Sequence, residues 1–293
     1  MLHAFCTVSI ASEFSKDDTA MCTIGAVFDG SNIVTFKQCD LIPVTTFNSP
    51  QVRTGSNGVG KYLAMTRQGS EGIWAGVNSS GVAFVAADSY TTTAANYACT
   101  GAQAAALFAA YEASISQYTT ATEAANSLIS FYQTMGSGTP FPAPDISLIS
   151  GWADEERTRP VAIFIEYMPN PFNQASVRVI QRTDGYFAST NNFRLQPDSV
   201  NYPANHSTYL RLNRAETILQ SEPTRQGVKT LLSDQYYGET ELSICRETAY
   251  MGTEFHTQAT AVFTVAQSAQ VCEYQINGNP RTNPLVPYEG GWS

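Results

Sequence analysis

Between residues 101 and 135 the sequence is alanine-rich and helix-periodic, and on either side of it stand blocks of short strand-like runs separated by Gly, Asn, Asp and Ser. Such a chain must bury the stripe of each helix and at least one face of each strand block. Leu107, Tyr111, Ile115 and Tyr118 recur at i, i+4, i+8 and i+11, which places them on one helix face. Thr120 and Glu123 form a capping-box pattern that opens a second helix over residues 124–135. Gly136-Ser-Gly-Thr-Pro140 and Pro142-Ala-Pro144 end it. A second helix pair is expected over residues 209–220 and 224–232, the latter just after Pro223.

The strands group around these pairs. Residues 22–28 and 32–37 read as a hairpin joined by Asp29-Gly30-Ser31, and 59–67, 72–77 and 81–87 continue as an antiparallel meander. Runs at 146–150, 161–167, 177–182 and 186–189 follow, with Asp184-Gly185 as the turn between the last two. Closing strands are expected at 260–266 and 271–276. Strand blocks alternating with helix pairs imply an α+β chain in which two antiparallel sheets pack face to face, each covered by helices outside: a four-layer αββα sandwich.

With 293 residues, 43% of them hydrophobic, the chain can bury one large core, and residues 22–293 are read as a single domain. The net charge of −9 with only 16 basic residues excludes nucleic acid and an anionic membrane surface as partners, because binding there depends on Lys and Arg at phosphates. No apolar run approaches the ~20 residues that span a bilayer. Residues 1–21 lack a basic n-region and carry Asp17-Asp18, so they read as a leader or propeptide rather than a signal peptide. The six cysteines, at positions 6, 22, 39, 99, 245 and 272, show no CxxC or zinc-like spacing and are read as reduced thiols of a cytoplasmic protein. Asn78-Ser79-Ser80 and Asn205-His206-Ser207 fit the glycosylation triplet, a pattern too frequent by chance to imply secretion.

Cys22 heads the first strand, directly behind that leader. An unpaired cysteine in a strand is ordinarily a small buried hydrophobe, and Cys22 by itself carries no more than that. If the chain began at Cys22, its thiol would have a base of its own: a free α-amine with an unperturbed pKa of about 7.7–8.0 can take the thiol proton without any histidine. Self-cleavage or removal of Met21 by an aminopeptidase would each produce that end.

Four segments together resemble the isopenicillin N acyltransferase branch of the N-terminal-nucleophile hydrolases, with choloylglycine hydrolase and penicillin V acylase as more distant relatives. They are Cys22-Thr23 with Lys37-Gln38-Cys39-Asp40, Ala75 to Ala83, Ser189-Thr190-Asn191-Asn192-Phe193, and Ser243-Ile-Cys-Arg246 leading to Gly278-Asn-Pro280; Ser207, Arg211 and Arg214 also match in order. The resemblance implies the αββα fold, with Cys22 as nucleophile, Asp40 orienting its amine and thiol, and Asn191 donating to the tetrahedral oxyanion. Lys37, Asn78, Asp88, Arg211, Arg246 and His256 are carried over as substrate-binding or supporting residues.

The implied activity is cleavage or formation of a linear, non-peptide amide through a Cys22 thioester. The partners are a small-molecule amide or acyl donor, an acyl thioester included, and either an amine acceptor or water; oligomeric state is left open. Three departures stand out. Lys37 replaces the arginine of the bile-salt hydrolases, Thr257 stands where the acyltransferase has a catalytic arginine, with His256 beside it, and Asp88 falls near an oxyanion-hole asparagine. A non-catalytic αββα binding or scaffold protein, and a bile-salt or penicillin V hydrolase proper, are the competing readings.

Other chemistries lack their residues. Gly55-Ser-Asn-Gly-Val-Gly60-Lys61 matches the start of a P-loop, but Tyr62 follows where a Mg²⁺-holding hydroxyl is needed, and the next residues read as strand. His3, His206 and His256 are too scattered for zinc, and no Gly-x-Ser-x-Gly elbow occurs. No cofactor and no metal are implied. The loop 43–58 carries no motif that names a substrate.

Overall fold

The computed structural model describes residues 21–41, 45–70, 72–89, 101–135, 145–168, 176–196, 202–250 and 253–292. Residues 1–20 of the expected leader lie outside this set, whereas Met21 is the first residue of a strand.

Sheet one is built from β1 (Met21–Asp29), β2 (Asn32–Leu41), β10 (Tyr186–Ser189), β11 (Glu247–Tyr250), β12 (Thr253–Val265), β13 (Gln270–Ile276) and β14 (Val286–Pro287). Its order is β10-β1-β2-β12-β13-β14, with β11 paired to β12. Sheet two contains β3 (Gln51–Thr54), β4 (Lys61–Thr66), β5 (Ile73–Asn78), β6 (Ala83–Asp88), β7 (Asp145–Trp152), β8 (Pro160–Met168) and β9 (Ser176–Arg182), in chain order across the sheet. The helices are α1 (Gly101–Ser116), α2 (Ala121–Met135), α3 (Ser207–Ser221) and α4 (Arg225–Leu232).

Three apolar clusters show how these stack. One joins inward residues of both sheets, among them Ile24, Ile33, Leu63, Trp74, Leu148, Phe164 and Phe263. A second joins the outer face of sheet two to α1 and α2 through Phe84, Tyr111, Leu128 and Ile163. A third joins the outer face of sheet one to α3 and α4 through Val34, Phe36, Leu219 and Leu231. Three interfaces make four layers, and the fold is the αββα sandwich expected from the order of elements.

Local chemistry accounts for the element ends. Gly30, at φ +62°, opens a two-residue loop that sets Asp29 opposite Asn32. The Thr120 hydroxyl accepts from the Glu123 N–H at 3.3 Å and donates to its carboxylate at 2.9 Å, so the capping-box residues hold the start of α2. Thr224 caps α4 by accepting from Gly227 N–H at 3.1 Å.

The structure departs from the sequence reading in three places. Residues 51–54, expected as loop, form the edge strand β3 against β4. The strand expected from residue 260 begins at Thr253, because its first half pairs with the short β11, and an irregularity between Thr257 and Ala259 lets the two halves differ in register. The Asp184-Gly185 turn makes no hairpin: β9 is the last strand of sheet two and β10 the edge of sheet one, so this turn carries the chain from one sheet to the other.

Candidate active site

The hairpin register determines the neighbourhood of Cys22. Cys22 faces Cys39, Met21 faces Asp40, and Thr23 faces Gln38. Side chains alternate along a strand, so Cys22 and Cys39 point into the core between the sheets while Met21, Thr23, Gln38 and Asp40 point toward α3 and α4. All six are buried.

The thiol side holds a cation. Lys37 lies on the same face as Cys39; its Nζ donates to the Ala86 carbonyl oxygen and sits 5.6 Å from the ring centre of Trp74. Cys22 and Cys39 share a side-chain hydrogen bond. Together with burial, that bond pushes the Cys22 thiol well above its ordinary range, against the pull of the Lys37 ammonium. For Cys39 burial acts upward, but the hydrogen bond from Cys22 and the charge of Lys37 outweigh it and leave the thiol more acidic than usual.

The helix side holds the carboxylate. Asp40 Oδ1 accepts from the Thr257 hydroxyl at 2.8 Å, and Oδ2 forms an ion pair with Arg246 Nε at 3.0 Å, both side chains being fully buried. Thr257 Oγ1 also accepts from Arg246 N–H at 3.1 Å and from Gln38 Nε2 at 3.2 Å. Burial raises the Asp40 pKa, while Arg246, Arg211 and hydrogen bonding from the Thr257 and Gln38 side chains oppose it. Arg246 Nη1 reaches the Met21 sulfur. A buried guanidinium, Arg246, thus stands beside Asp40, and Thr257 contacts them both. His256 stands opposite Leu41 and Glu247, one residue outside the Asp40–Thr257 pair.

Asn191, two residues past the end of β10, joins the two sides. Its Oδ1 accepts from Cys22 N–H at 3.0 Å and from Arg211 Nη2 at 2.8 Å. Its Nδ2 donates to the Asp88 backbone oxygen at 2.8 Å. A guanidinium only donates and a carbonyl only accepts, so these partners define which amide atom is oxygen. Arg211 Nη1 donates to the Cys22 carbonyl at 2.6 Å and to Thr23 Oγ1 at 3.2 Å, and its Nε donates to Ser207 Oγ at 3.2 Å at the start of α3. Both flanking peptide groups of Cys22 are therefore held by α3 and the loop before it.

Asp88 meets the site through its backbone, and its side chain is exposed at the end of β6. Asn78 lies at the other end of the β5–β6 hairpin. It accepts from Val82 N–H at 2.9 Å and donates to the Ile115 and Tyr118 carbonyls at 3.0 and 2.9 Å, which ties the turn to the end of α1. The structure thus gathers Cys22, Lys37, Asp40, Asn191, Arg211, Arg246 and the Asp88 carbonyl, and sets Asn78 apart from them.

No protein-family model matches this chain, and no curated protein matches it. Among solved structures it is similar to a Caenorhabditis elegans N-acylethanolamine-hydrolyzing acid amidase ortholog, at 14% identity over 82% of this chain and 92% of that one, with a TM-score of 0.46. It is also similar to two variants of the conjugated bile acid hydrolase from Clostridium perfringens, at 10% identity over 93% of this chain and 98% of theirs, with TM-scores of 0.49 and 0.46.

Cys39, Thr257 and Gln38 were not assigned roles as site residues from the sequence. Cys39 carries a usable signal: once Gly30-Ser31 is taken as a two-residue hairpin loop, counting outward from Asp29 and Asn32 pairs Cys22 with Cys39. Thr257 and Gln38 carry none, because their roles depend on β12 lying beside β2. Among the described residues no cluster of three or more His, Cys, Asp or Glu side chains is arranged to hold a metal ion, and no helix is long and apolar enough to cross a membrane.

Proposed function

We propose that this protein is a cysteine amidohydrolase of the N-terminal-nucleophile kind, acting on a small linear amide through the Cys22 thiol once the chain before Cys22 has been removed. The observation that carries this reading is the bond from Cys22 N–H to Asn191 Oδ1, an acceptor pinned by Arg211. When the Met21–Cys22 bond is broken, that nitrogen becomes an α-amine already seated on a carbonyl acceptor, with Asp40 and Arg246 where Met21 lay.

In the chain with Met21 attached, the Cys22 nitrogen is an amide and cannot act as a base. Freed, it takes the thiol proton, and the thiolate attacks the substrate carbonyl beside the Lys37 ammonium. The tetrahedral oxyanion is met by the Asn191 amide group, a role worth about 2.7–4 kcal/mol in comparable sites. The protonated amine then delivers its proton to the leaving nitrogen, leaving a thioester on Cys22. Water attacks the thioester and releases the acid; an amine acceptor in its place would give a new amide.

Intact mass and N-terminal sequencing of the purified full chain test the first requirement, and a panel of N-acylethanolamine, conjugated bile acid and penicillin V amides tests the second. The expected product begins at Cys22, and hydrolysis is abolished in Cys22→Ala. A chain that retains residues before Cys22, ignores iodoacetamide at Cys22 and hydrolyses no amide would overturn the reading.

A further inference from the structure

We infer that Cys22 and Cys39 form a peroxide-oxidisable dithiol, a modification site that closes into a disulfide across β1 and β2 and takes the Cys22 sulfur out of use. The pair itself stands on strand geometry; only its consequence for activity rests on the function proposed above.

The two residues are direct partners on adjacent antiparallel strands, and their side chains are hydrogen-bonded. Opposed residues in such a ladder are of two kinds, and the backbone partners of Cys22 identify which applies. Its N–H goes to Asn191 and its carbonyl to Arg211, both away from β2. The pair is therefore of the non-hydrogen-bonded kind, in which the Cα atoms lie about 4.5 Å apart and the side chains are at their closest. A disulfide needs Cα atoms about 4.4–6.8 Å apart, so the bond can form with the hairpin in place. Cys245 and Cys272, the other described cysteines, are free thiols on other segments, and neither is a register partner of Cys22.

The chemistry balances with hydrogen peroxide as oxidant. One thiolate sulfur attacks a peroxide oxygen, the O–O bond breaks, hydroxide leaves and takes up a proton as water, and a sulfenic acid forms. The second sulfur displaces the sulfenic oxygen as water and the S–S bond forms. Overall two thiols and one peroxide give one disulfide and two waters. The Lys37 ammonium, on the same face, stabilises the attacking thiolate.

Trypsin makes the test simple, because Lys37 lies between the two cysteines and the next basic residue is Arg53. The full-length protein is treated with hydrogen peroxide, quenched, alkylated in denaturant and digested without reductant. The expected result is peptide 38–53 joined to the peptide ending at Lys37, two hydrogens lighter than their sum. Dithiothreitol should separate them and restore alkylation at Cys22. In Cys39→Ala the same treatment is expected to drive Cys22 to a sulfinic acid that dithiothreitol does not reverse.

Wild-type protein in which both thiols still alkylate, or in which Cys22 is over-oxidised with no joined peptide, would overturn the inference whatever the variant does. A joined peptide in a protein that hydrolyses no amide would leave the pair standing and remove the proposed function instead.

Discussion

Arg211 and Asn191 hold one another in a single orientation, the guanidinium donating at 2.8 Å to the same amide oxygen that receives the Cys22 N–H. Arg211 is fully buried at one end of α3, and its partners on β1 are the Cys22 carbonyl and the Thr23 hydroxyl. One helix side chain thus fixes both the peptide group of the candidate nucleophile and the residue that contacts it.

Arg211→Met keeps much of the side-chain volume and removes every donor. Four buried acceptors lose a charge-assisted partner, so the fold should lose at least about 3 kcal/mol. Urea unfolding should show a lower midpoint with an unchanged slope. If the proposed function holds, amide hydrolysis in the protein that still folds should slow by about 100-fold through misplacement of Asn191. A midpoint within error of wild type would refute the central position given to Arg211.

Lys37→Met tests the thiol side. Without the ammonium, the Cys22–Cys39 pair loses the cation that favours a thiolate on either sulfur, Arg67 acting on Cys39 alone, and the pH profile of alkylation should move upward. Iodoacetamide rates across pH, followed by peptide mapping, measure this. An unmoved profile would show that Lys37 serves only to pack on Trp74.

Asp145 offers a pH-dependent stability test remote from Cys22. Its Oδ2 accepts from the hydroxyls of Tyr111 at 2.5 Å, Ser147 at 3.0 Å and Tyr132, and Asp88 lies opposite on β6. Burial raises the Asp145 pKa against the three hydroxyl donors, and the Asp88 charge acts in the same direction as burial. A carboxyl group that is harder to ionise in the fold than in the unfolded chain stabilises the fold while protonated. That contribution is complete below the unfolded value of about 3.9 and is lost as pH rises through the higher folded value. The stability of wild type relative to Asp145→Asn should therefore fall as the pH is raised above about 4 in urea titrations. A difference that grows with pH would contradict the assignment.

Gly25 sits three residues after Cys22, where β1 passes under Phe36 and beside β10. A Cβ there would lie 2.3 Å from the Phe187 carbonyl oxygen and 2.4 Å from Phe36 Cζ. Backbone cannot yield as a flexible side chain can, so Gly25→Ala should cost about 1–3 kcal/mol or more. A thermal midpoint equal to that of wild type would show that β1 and β10 can part without loss.

Helices, strands and turns were legible because their signals are local. The Leu107 to Tyr118 periodicity, the Thr120–Glu123 cap and the Gly30 turn each act within a few residues, and each element stands where they indicate. The short strands β3, β11 and β14 were not legible, since two to four residues carry no periodicity and become strands only through their neighbours.

The order of elements, with its alternating strand and helix blocks, was enough by itself to determine the four-layer fold, because each helix and sheet must cover an apolar face. It also placed Cys22 at the head of a strand, whereas the register that sets it opposite Cys39 came from the structure. Only the tertiary structure decided that Asp184-Gly185 changes sheet, that Arg246 and Thr257 both contact Asp40, and that Asn191 and Arg211 converge on Cys22. Those contacts join residues 169 and 189 positions apart for the last two. No local propensity encodes such pairings; they exist because three apolar interfaces close together and bury these polar groups beside one another.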